Sequence, residues 1–284
     1  ALFDQYAPAE IKEQYEFPSK QQWDEFAARL QQALQNEDLT QLARYEPEAR
    51  AALTALRVFP GYEDYADWLT ERLDYIDAAK VTATRPAPRP PTPRPVPKPG
   101  QPATVAPLDL PYYDVWMERM RGRPTPERAG TLMPILRAAF VAEGVPPEIA
   151  WLAEAESTLN PAARSPSGAK GLFQLMPETA KGLGLKTFLP DERADPDKSA
   201  RAAARYLRTL HDEFNDWPLV FAAYNGGEGR VRRLLKQKHA DTFAEIAAAL
   251  PSETRMYVPK VCATIAVRTG VPPEDLAAPV SPAS

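Results

Sequence analysis

Apolar side chains recur every three or four positions along most of the chain, and few stretches show the two-residue alternation that is typical of β-strands. Within the first 80 residues this spacing occurs in three segments that are separated by polar or proline-containing turns. The pattern predicts three helices that form a small bundle: one after a capping box that Ser19 opens, one from about Leu39 to Val58 with a break near Pro47, and one from about Tyr62 to Ala79.

Helical spacing resumes at residue 109 and continues to about residue 275. Residue pairs that end in proline mark several helix starts there, because proline is favoured in the first helical turn. The predicted helices run from Asp195-Pro196 to about Phe214, from Trp217-Pro218 to Asn225-Gly226-Gly227, and from Pro251 to about Thr269 despite Pro259. The fold class is therefore mainly α, and we expect any β-sheet to be very small and to lie between Asn160 and Gln174.

Proline separates these two helical halves. Of 32 prolines, eleven lie between Pro86 and Pro111, and no acidic residue precedes Asp109 in this stretch. The composition favours an extended polyproline-II segment, which serves as an inert linker, as a strap over the neighbouring domain or as a PxxP ligand. We expect four parts: an N-terminal helical domain (1–80), a Pro-rich linker or strap (81–108), a second helical domain (109–275) and a C-terminal tail (276–284).

Composition narrows the classes of function. The formal net charge is −4, so we expect no nucleic-acid partner. No run of 18 apolar residues is present, and the first residues lack the features of a signal peptide, so we expect any export signal to have been removed. Cys262 is the single cysteine and His211 and His239 are the only histidines, which leaves little for a disulfide, a zinc site or a Ser-His-Asp triad.

A glutamate shares the apolar face of a short helix that Pro146-Pro147 begins. Ile149, Leu152 and Glu156 follow at helical spacing. Desolvation on that face and the negative end of the helix dipole both raise the pKa of a glutamate in the last turn. A carboxyl group that stays protonated near neutral pH suits a general acid. The alternative is an ordinary surface acid that turns outward beyond the helix end.

The stretch after Glu156 contains no second carboxylate. Ordinary glycosidases use a pair of them, yet no Asp or Glu lies between Ser157 and Pro177. Either the fold brings in a distant acid or the reaction needs only one carboxylate. Candidates for the distant acid are Asp216, Glu228 and Glu253.

Ordered motifs extend the pattern: Glu156-Ser157, Gly171-Leu172-Phe173-Gln174-Leu175-Met176-Pro177, Ala223-Tyr224-Asn225 with Gly227, and Leu250-Pro251-Ser252-Glu253-Thr254-Arg255-Met256-Tyr257-Val258-Pro259-Lys260. Together they resemble the soluble lytic transglycosylase (SLT) domain, especially its membrane-bound type D branch, over roughly residues 111–270. The resemblance implies a lysozyme-like fold and cleavage of the β-1,4 bond between N-acetylmuramic acid and N-acetylglucosamine in peptidoglycan. It implies neither a metal nor a cofactor.

The resemblance also implies a mechanism with Glu156 as the sole catalytic acid and base. Glu156 would protonate the leaving oxygen and then deprotonate the C6 hydroxyl of muramic acid, which attacks C1 and closes a 1,6-anhydro ring. An intramolecular nucleophile of this kind explains why a second carboxylate is missing near Glu156.

Substrate-binding roles follow from the same matches. Ser165 and Gln174 would hydrogen-bond the sugar, Met176 would pack beside it, and the Tyr224 hydroxyl would point at Glu156 or the substrate. Asn225 would hold its loop, Glu253 and Tyr257 would line the cleft, and Ser157 would belong to the site. The plain alternatives are core aromatics for Tyr224 and Tyr257, a helix cap for Asn225, and a helix-end contact for Ser157.

The expected protein is a monomer of the periplasm or cell envelope that binds peptidoglycan strands, with cell-wall or secretion-machinery proteins as candidate partners of its N-terminal domain. Type D proteins usually continue into wall-binding LysM repeats, so we expect a trimmed C-terminal part or anchoring from elsewhere. The alternatives are a goose-type lysozyme-like hydrolase and a non-catalytic peptidoglycan-binding scaffold.

Overall fold

The structure is a computed structural model that describes residues 20–58, 61–83 and 109–281. This part of the chain is built from helices and contains no strand, only isolated β-bridges that join Lys170 to Arg164 and to Leu175. The mainly α class predicted from the sequence is confirmed, and the small sheet is reduced to these bridges. The predicted linker or strap, apart from its first three residues, lies outside the described residues, as do Ser19 and the end of the tail.

The N-terminal module comprises the described residues 20–58 and 61–83. Its helices are α1 (Lys20–Gln35), α2 (Leu39–Ala43), α3 (Glu46–Val58) and α4 (Glu63–Ala83). Trp23, Leu30 and Leu34 are buried on the inner face of α1, as their spacing predicts. Pro47 lies in the first turn of α3, where its missing N–H costs no hydrogen bond, so the predicted break separates α2 from α3.

The C-terminal half, residues 109–281, holds the remaining described helices. They are α5 (Tyr113–Arg121), α6 (Ala129–Ala142), α7 (Leu152–Ser157), α8 (Pro177–Gly182), α9 (Pro196–Phe214), α10 (Trp217–Gly226), α11 (Glu228–Lys238), α12 (Phe243–Ile246) and α13 (Ser252–Thr269). Short 3₁₀ turns lie at Pro147–Trp151, Glu192–Ala194, Ala247–Ala249 and Pro273–Asp275. No helix in the described ranges is both long enough and apolar enough to cross a membrane.

Aspartate side chains cap the helices whose starts the sequence predicts. Asp195 accepts a hydrogen bond from the Lys198 amide at 2.9 Å at the start of α9, and Asp216 accepts one from the Leu219 amide at 3.0 Å at the start of α10. The described part of the tail packs on the fold, since the Val280 amide donates to the Gly144 carbonyl at 2.8 Å.

Helix α13 is the centre of the molecule. Residues 252–265 are all buried, because α13 packs against α5, α7 and α10 of the C-terminal half and also against α1 and α4 of the N-terminal module. The N-terminal module therefore contacts the C-terminal half directly. Asn36 accepts hydrogen bonds from the amide and hydroxyl of Ser252 at 2.7 and 2.6 Å, and Arg255 donates to the Glu37 carbonyl at 2.7 Å.

Candidate active site

Glu156 lies in the last turn of α7, at the floor of an open cleft. The helix ends directly after it, because Thr158 and Leu159 adopt left-handed φ values of 51° and 58°. The cleft encloses about 790 Å³, including the space that is open to solvent. Its lining includes Glu156 and most of the predicted substrate-binding residues, namely Ser165, Gln174, Met176, Tyr224, Asn225, Glu253 and Tyr257. The structure thus brings together residues that lie up to 101 positions apart.

The carboxyl group of Glu156 sits in an environment that favours its protonated form. Desolvation raises the pKa of Glu156 to about 8. The Tyr257 hydroxyl donates a hydrogen bond to Oε1 and lowers this pKa, Glu71 raises it, and Lys260 and Arg72 lower it. Desolvation outweighs the groups that favour the anion, so Glu156 carries a proton at neutral pH.

Tyr257 stays a donor to Glu156 throughout the neutral range. Its ring is almost fully buried on α13, and burial together with the charge of Glu156 holds its pKa well above the ordinary value. The carboxylate of Glu156 is thereby provided with a fixed hydrogen bond as soon as it loses its proton.

The loop between α7 and α8 forms one rim of the cleft and is held from behind by Arg193. Its guanidinium donates to the carbonyls of Gly168 and Leu175 at 2.8 and 3.0 Å. Gly171 approaches the backbone of Arg193 so closely that a Cβ atom would lie 1.9 Å from its carbonyl oxygen. A side chain would not fit at Gly171, which explains why the motif has a glycine there. The close contact also fixes the shape of the loop.

Side chains of this loop line the cleft at defined positions. Gln174 has a φ of 44° and donates from Nε2 to the Gly171 carbonyl at 2.9 Å. Ser165 accepts from the Ala169 amide at 2.9 Å and pairs with the hydroxyl of Ser167, while Met176 is 42% exposed beside them. Their predicted contacts with a sugar remain predictions.

The hydroxyl groups of Tyr224 and Ser157 are both hydrogen-bonded to backbone carbonyls of the loop between α7 and α8. The Tyr224 hydroxyl donates to the Phe173 carbonyl at 2.8 Å, and the hydrogen bond to Glu156 comes from Tyr257, while Tyr224 still lines the cleft and its contact with a substrate stays a prediction. Ser157 is buried, and its hydroxyl donates to the Leu172 carbonyl at 3.0 Å, so it ties the helix end to the loop as the alternative interpretation of the sequence expects.

Asn225 and Glu253 join elements at the cleft. Asn225 accepts from the Thr254 hydroxyl at 2.7 Å and so links the end of α10 to the start of α13. Glu253 accepts from Gln31, Gln35 and Arg72 of the N-terminal module, each at 3.3 Å. Its carboxylate is thereby occupied at the interface between the two halves.

The other distant acids considered above lie elsewhere in the fold. Asp216 caps α10, and Glu228 accepts a hydrogen bond from the Tyr206 hydroxyl at 2.9 Å. Glu154, on the far side of α7 from Glu156, is buried in an ion pair with Arg268 at 2.7 Å.

One wall of the cleft comes from the N-terminal module and was not predicted. Its residues are Gln31 on α1 and Glu71, Arg72 and Tyr75 on α4. A signal was present in the sequence, since Trp68, Arg72, Tyr75 and Ala79 form a second stripe on α4 with helical spacing. A helix with two such stripes packs on two faces, which indicates that α4 contacts another surface as well as its own module.

Lys260 fixes the floor of the cleft beneath Glu156. Its buried ammonium donates to the Ala155 carbonyl at 3.1 Å and lies 4.8 Å from the ring centre of Tyr75. Burial lowers the pKa of Lys260, while Asp74, 3.9 Å away, acts in the other direction.

Comparisons with known proteins bear on the C-terminal half. Residues 134–247 match the transglycosylase SLT domain, which confirms the resemblance seen in the motifs. Membrane-bound lytic murein transglycosylase D of Escherichia coli (strain K12) is 39% identical over 123 residues, which are 42% of this chain and 27% of that protein. Soluble lytic murein transglycosylase of Salmonella typhimurium (strain LT2) is 37% identical over 120 residues, or 39% of this chain and 19% of that protein.

The chain therefore spans about a quarter or less of the length of these curated relatives. Among solved structures, the 70 kDa soluble lytic transglycosylase from Escherichia coli aligns with a TM-score of 0.46 and 18% identity, covering 93% of this chain and 56% of that one.

Proposed function

We propose that this protein is a peptidoglycan lytic transglycosylase, because residues 134–247 match the transglycosylase SLT domain. It cleaves the β-1,4 bond between N-acetylmuramic acid and N-acetylglucosamine and releases a 1,6-anhydromuramic acid end. The observation that carries the proposal is Glu156, a carboxyl group with a pKa of about 8 in an open cleft of about 790 Å³.

The first half of the reaction uses Glu156 as an acid. At pH 7 the carboxyl group is protonated, and Oε1 accepts the hydrogen bond from Tyr257, so Oε2 carries the transferable proton. This proton passes to the glycosidic oxygen as the bond to C1 of muramic acid breaks. The leaving N-acetylglucosamine then has a hydroxyl group, and Glu156 is an anion.

The second half uses the same residue as a base. The carboxylate of Glu156 is desolvated, which makes it a stronger base than a glutamate in water. It takes the proton of the C6 hydroxyl of muramic acid while that oxygen bonds to C1 and closes the anhydro ring. Glu156 regains its proton, and the reaction consumes no water.

A second candidate is a lysozyme-like hydrolase. The cleft contains two further carboxylates, Glu71 and Glu253, although none lies close to Glu156 in the sequence. Glu253 is hydrogen-bonded to three donors, whereas burial raises the pKa of Glu71 to about 7, a value suited to a base that activates water. The absence of acids between residues 157 and 177 therefore argues less strongly for an intramolecular nucleophile than it did from sequence alone.

Mass spectrometry of the material released from purified sacculi separates these functions. We expect muropeptides that end in 1,6-anhydromuramic acid, and Glu156→Gln should reduce their release by at least about 100-fold while the protein stays folded. Reducing muramic acid ends would overturn the transglycosylase in favour of the hydrolase. If the unaltered protein binds sacculi and releases nothing, it is a scaffold.

We place this activity in the periplasm or cell envelope, because peptidoglycan is found there. The role of Glu156, and sugar contacts by Ser165, Gln174, Met176 and Tyr257, belong to the same proposal. Cell-wall or secretion-machinery proteins are proposed partners of the N-terminal module, on the surfaces that α13 leaves uncovered.

A further inference from the structure

Glu71 lies in the cleft with Glu156 but comes from the N-terminal module. Its side chain is 17% exposed, and it lines the cavity from α4, a helix outside the segment that matches the SLT domain. The N-terminal module therefore packs against the C-terminal half and also contributes a carboxyl group to the lining of the cleft.

The ion pairs around Arg72 leave a net negative charge at the cleft. Arg72 lies 3.1 Å from Glu71 and 3.3 Å from Glu253, so one guanidinium serves two carboxylates. The three groups together carry one negative charge when both acids are ionised. Loss of the proton from Glu156 then adds a second negative charge in a poorly solvated space, which is unfavourable.

Other charges also face the two glutamates. On α4 these are Asp67, Arg72, Asp74 and Tyr75, and Arg164 from the loop after α7 lines a small pocket together with Glu71. The described groups of the C-terminal half that act on them include Glu253, Tyr257 and Lys260 on α13 and Tyr224 on α10.

After the hydrogen bond from Tyr257, Glu71 has the largest effect on Glu156 among these groups. It raises the pKa of Glu156, whereas Lys260 and Arg72 each lower it by less. Lys260 also forms an ion pair with Asp74, and Asp74 in turn accepts a hydrogen bond from Arg123 at 2.6 Å.

We propose that Glu71 is a positioning residue of the active site, which acts through the charge it brings to the cleft to hold the catalytic proton on Glu156. This inference rests on the proposed function for the role of that proton. Glu71 lines the same cleft as Glu156 and its charge raises the pKa of Glu156, so an ionised Glu71 opposes the loss of the proton.

The test compares Glu71→Gln with Glu37→Gln, which removes the same charge from an exposed position of the same module. We expect the alkaline limb of the kcat/KM profile to move about one pH unit lower in Glu71→Gln and to stay in place in Glu37→Gln. Arg72→Gln should move it in the opposite direction, which general damage to the fold would not do.

Titration of Glu156 by carbon NMR on the labelled full chain gives the same information without activity. We expect the resonance of Glu156, assigned with Glu156→Gln, to titrate at lower pH in Glu71→Gln than in the unaltered chain. An unchanged titration would overturn the inference and leave the transglycosylase proposal standing. A protein that titrates as expected but releases nothing from sacculi would overturn the function and leave the coupling between the glutamates.

A different outcome would make Glu71 a catalytic base. If Glu71→Gln loses activity equally at every pH, and the unaltered protein yields reducing muramic acid ends, then Glu71 is a base that activates water and not a positioning residue.

Discussion

The contact between Tyr257 and Glu156 links α13 to the residue proposed for catalysis. The two residues are far apart in sequence, and neither α7 nor α13 alone specifies the contact. Burial keeps the phenol protonated, so its hydrogen bond is available both to the acid form and to the anion of Glu156. A hydrogen bond to the anion is the stronger of the two.

Tyr257→Phe tests this contact. Because the hydroxyl lowers the pKa of Glu156, its loss should raise that pKa and move the alkaline limb of kcat/KM to higher pH. We also expect kcat to fall by roughly 10- to 100-fold, since a hydrogen bond to a charged group contributes about 1.5–3 kcal/mol. The measurement is the rate of muropeptide release from sacculi across pH.

Tyr224→Phe is the matched control for that prediction. Its ring borders the same cleft, but its hydroxyl donates to the Phe173 carbonyl, so the alkaline limb should not move. An equal displacement in both variants would show that the effect does not come from the hydrogen bond to Glu156.

At the scale of elements, the loop between α7 and α8 depends on a close backbone approach. The motif glycine Gly171 has a φ of 82° and lies against the carbonyl of Arg193, which precedes α9 in the chain. The shape of the loop is thus set by packing against a distant segment, and the side chains of Ser165 and Gln174 take their places in the cleft from it.

Gly171→Ala should destabilise the protein by about 2 kcal/mol or more, because the new methyl group meets backbone that cannot turn aside and the conformation is left-handed. Gly168→Ala is the matched control, since its φ of 94° is also left-handed but a Cβ atom there meets nothing within 4 Å. Chemical denaturation measures both. A Gly168 variant as unstable as the Gly171 variant would contradict the role of the approach to Arg193.

At the scale of the whole molecule, charge complementarity holds the two halves together. Asp74 of α4 accepts from Arg123 at 2.6 Å and from Arg119 at 3.3 Å, and Lys260 lies 3.9 Å away. Desolvation alone would raise the pKa of Asp74, but Lys260 and the two arginines outweigh it and the pKa is lowered. Asp74 of the N-terminal module thus pairs with three basic side chains of the C-terminal half at the interface.

Asp74→Ala should lower the free energy of unfolding by about 3 kcal/mol, because it leaves the buried Lys260 without its carboxylate. Glu48→Ala is the control, since Glu48 pairs with Arg29 in the same module but both side chains are more than half exposed, and little change is expected. Urea titration at pH 7 measures the difference. Similar losses in both variants would show that the interface does not depend on this cluster.

The sequence by itself determined the helices and the identity of the central acid. Helix starts at Pro196, Trp217 and Ser252 were predicted because caps and prolines act locally, through backbone groups a few residues away. The apolar face of α7 and its last-turn position likewise indicated a protonated Glu156, in agreement with its pKa of about 8.

Only the tertiary structure decided which side chains surround that acid. It made Tyr257 the hydrogen-bond partner of Glu156, joined the Tyr224 and Ser157 hydroxyls to carbonyls of the loop, and brought Glu71 to the cleft from the N-terminal module. Contacts of this kind depend on how helices pack, and a periodic pattern specifies which face of a helix is buried but not which partner covers it. For the same physical reason, the charge balance around Glu156 could not be obtained from the segment that contains it.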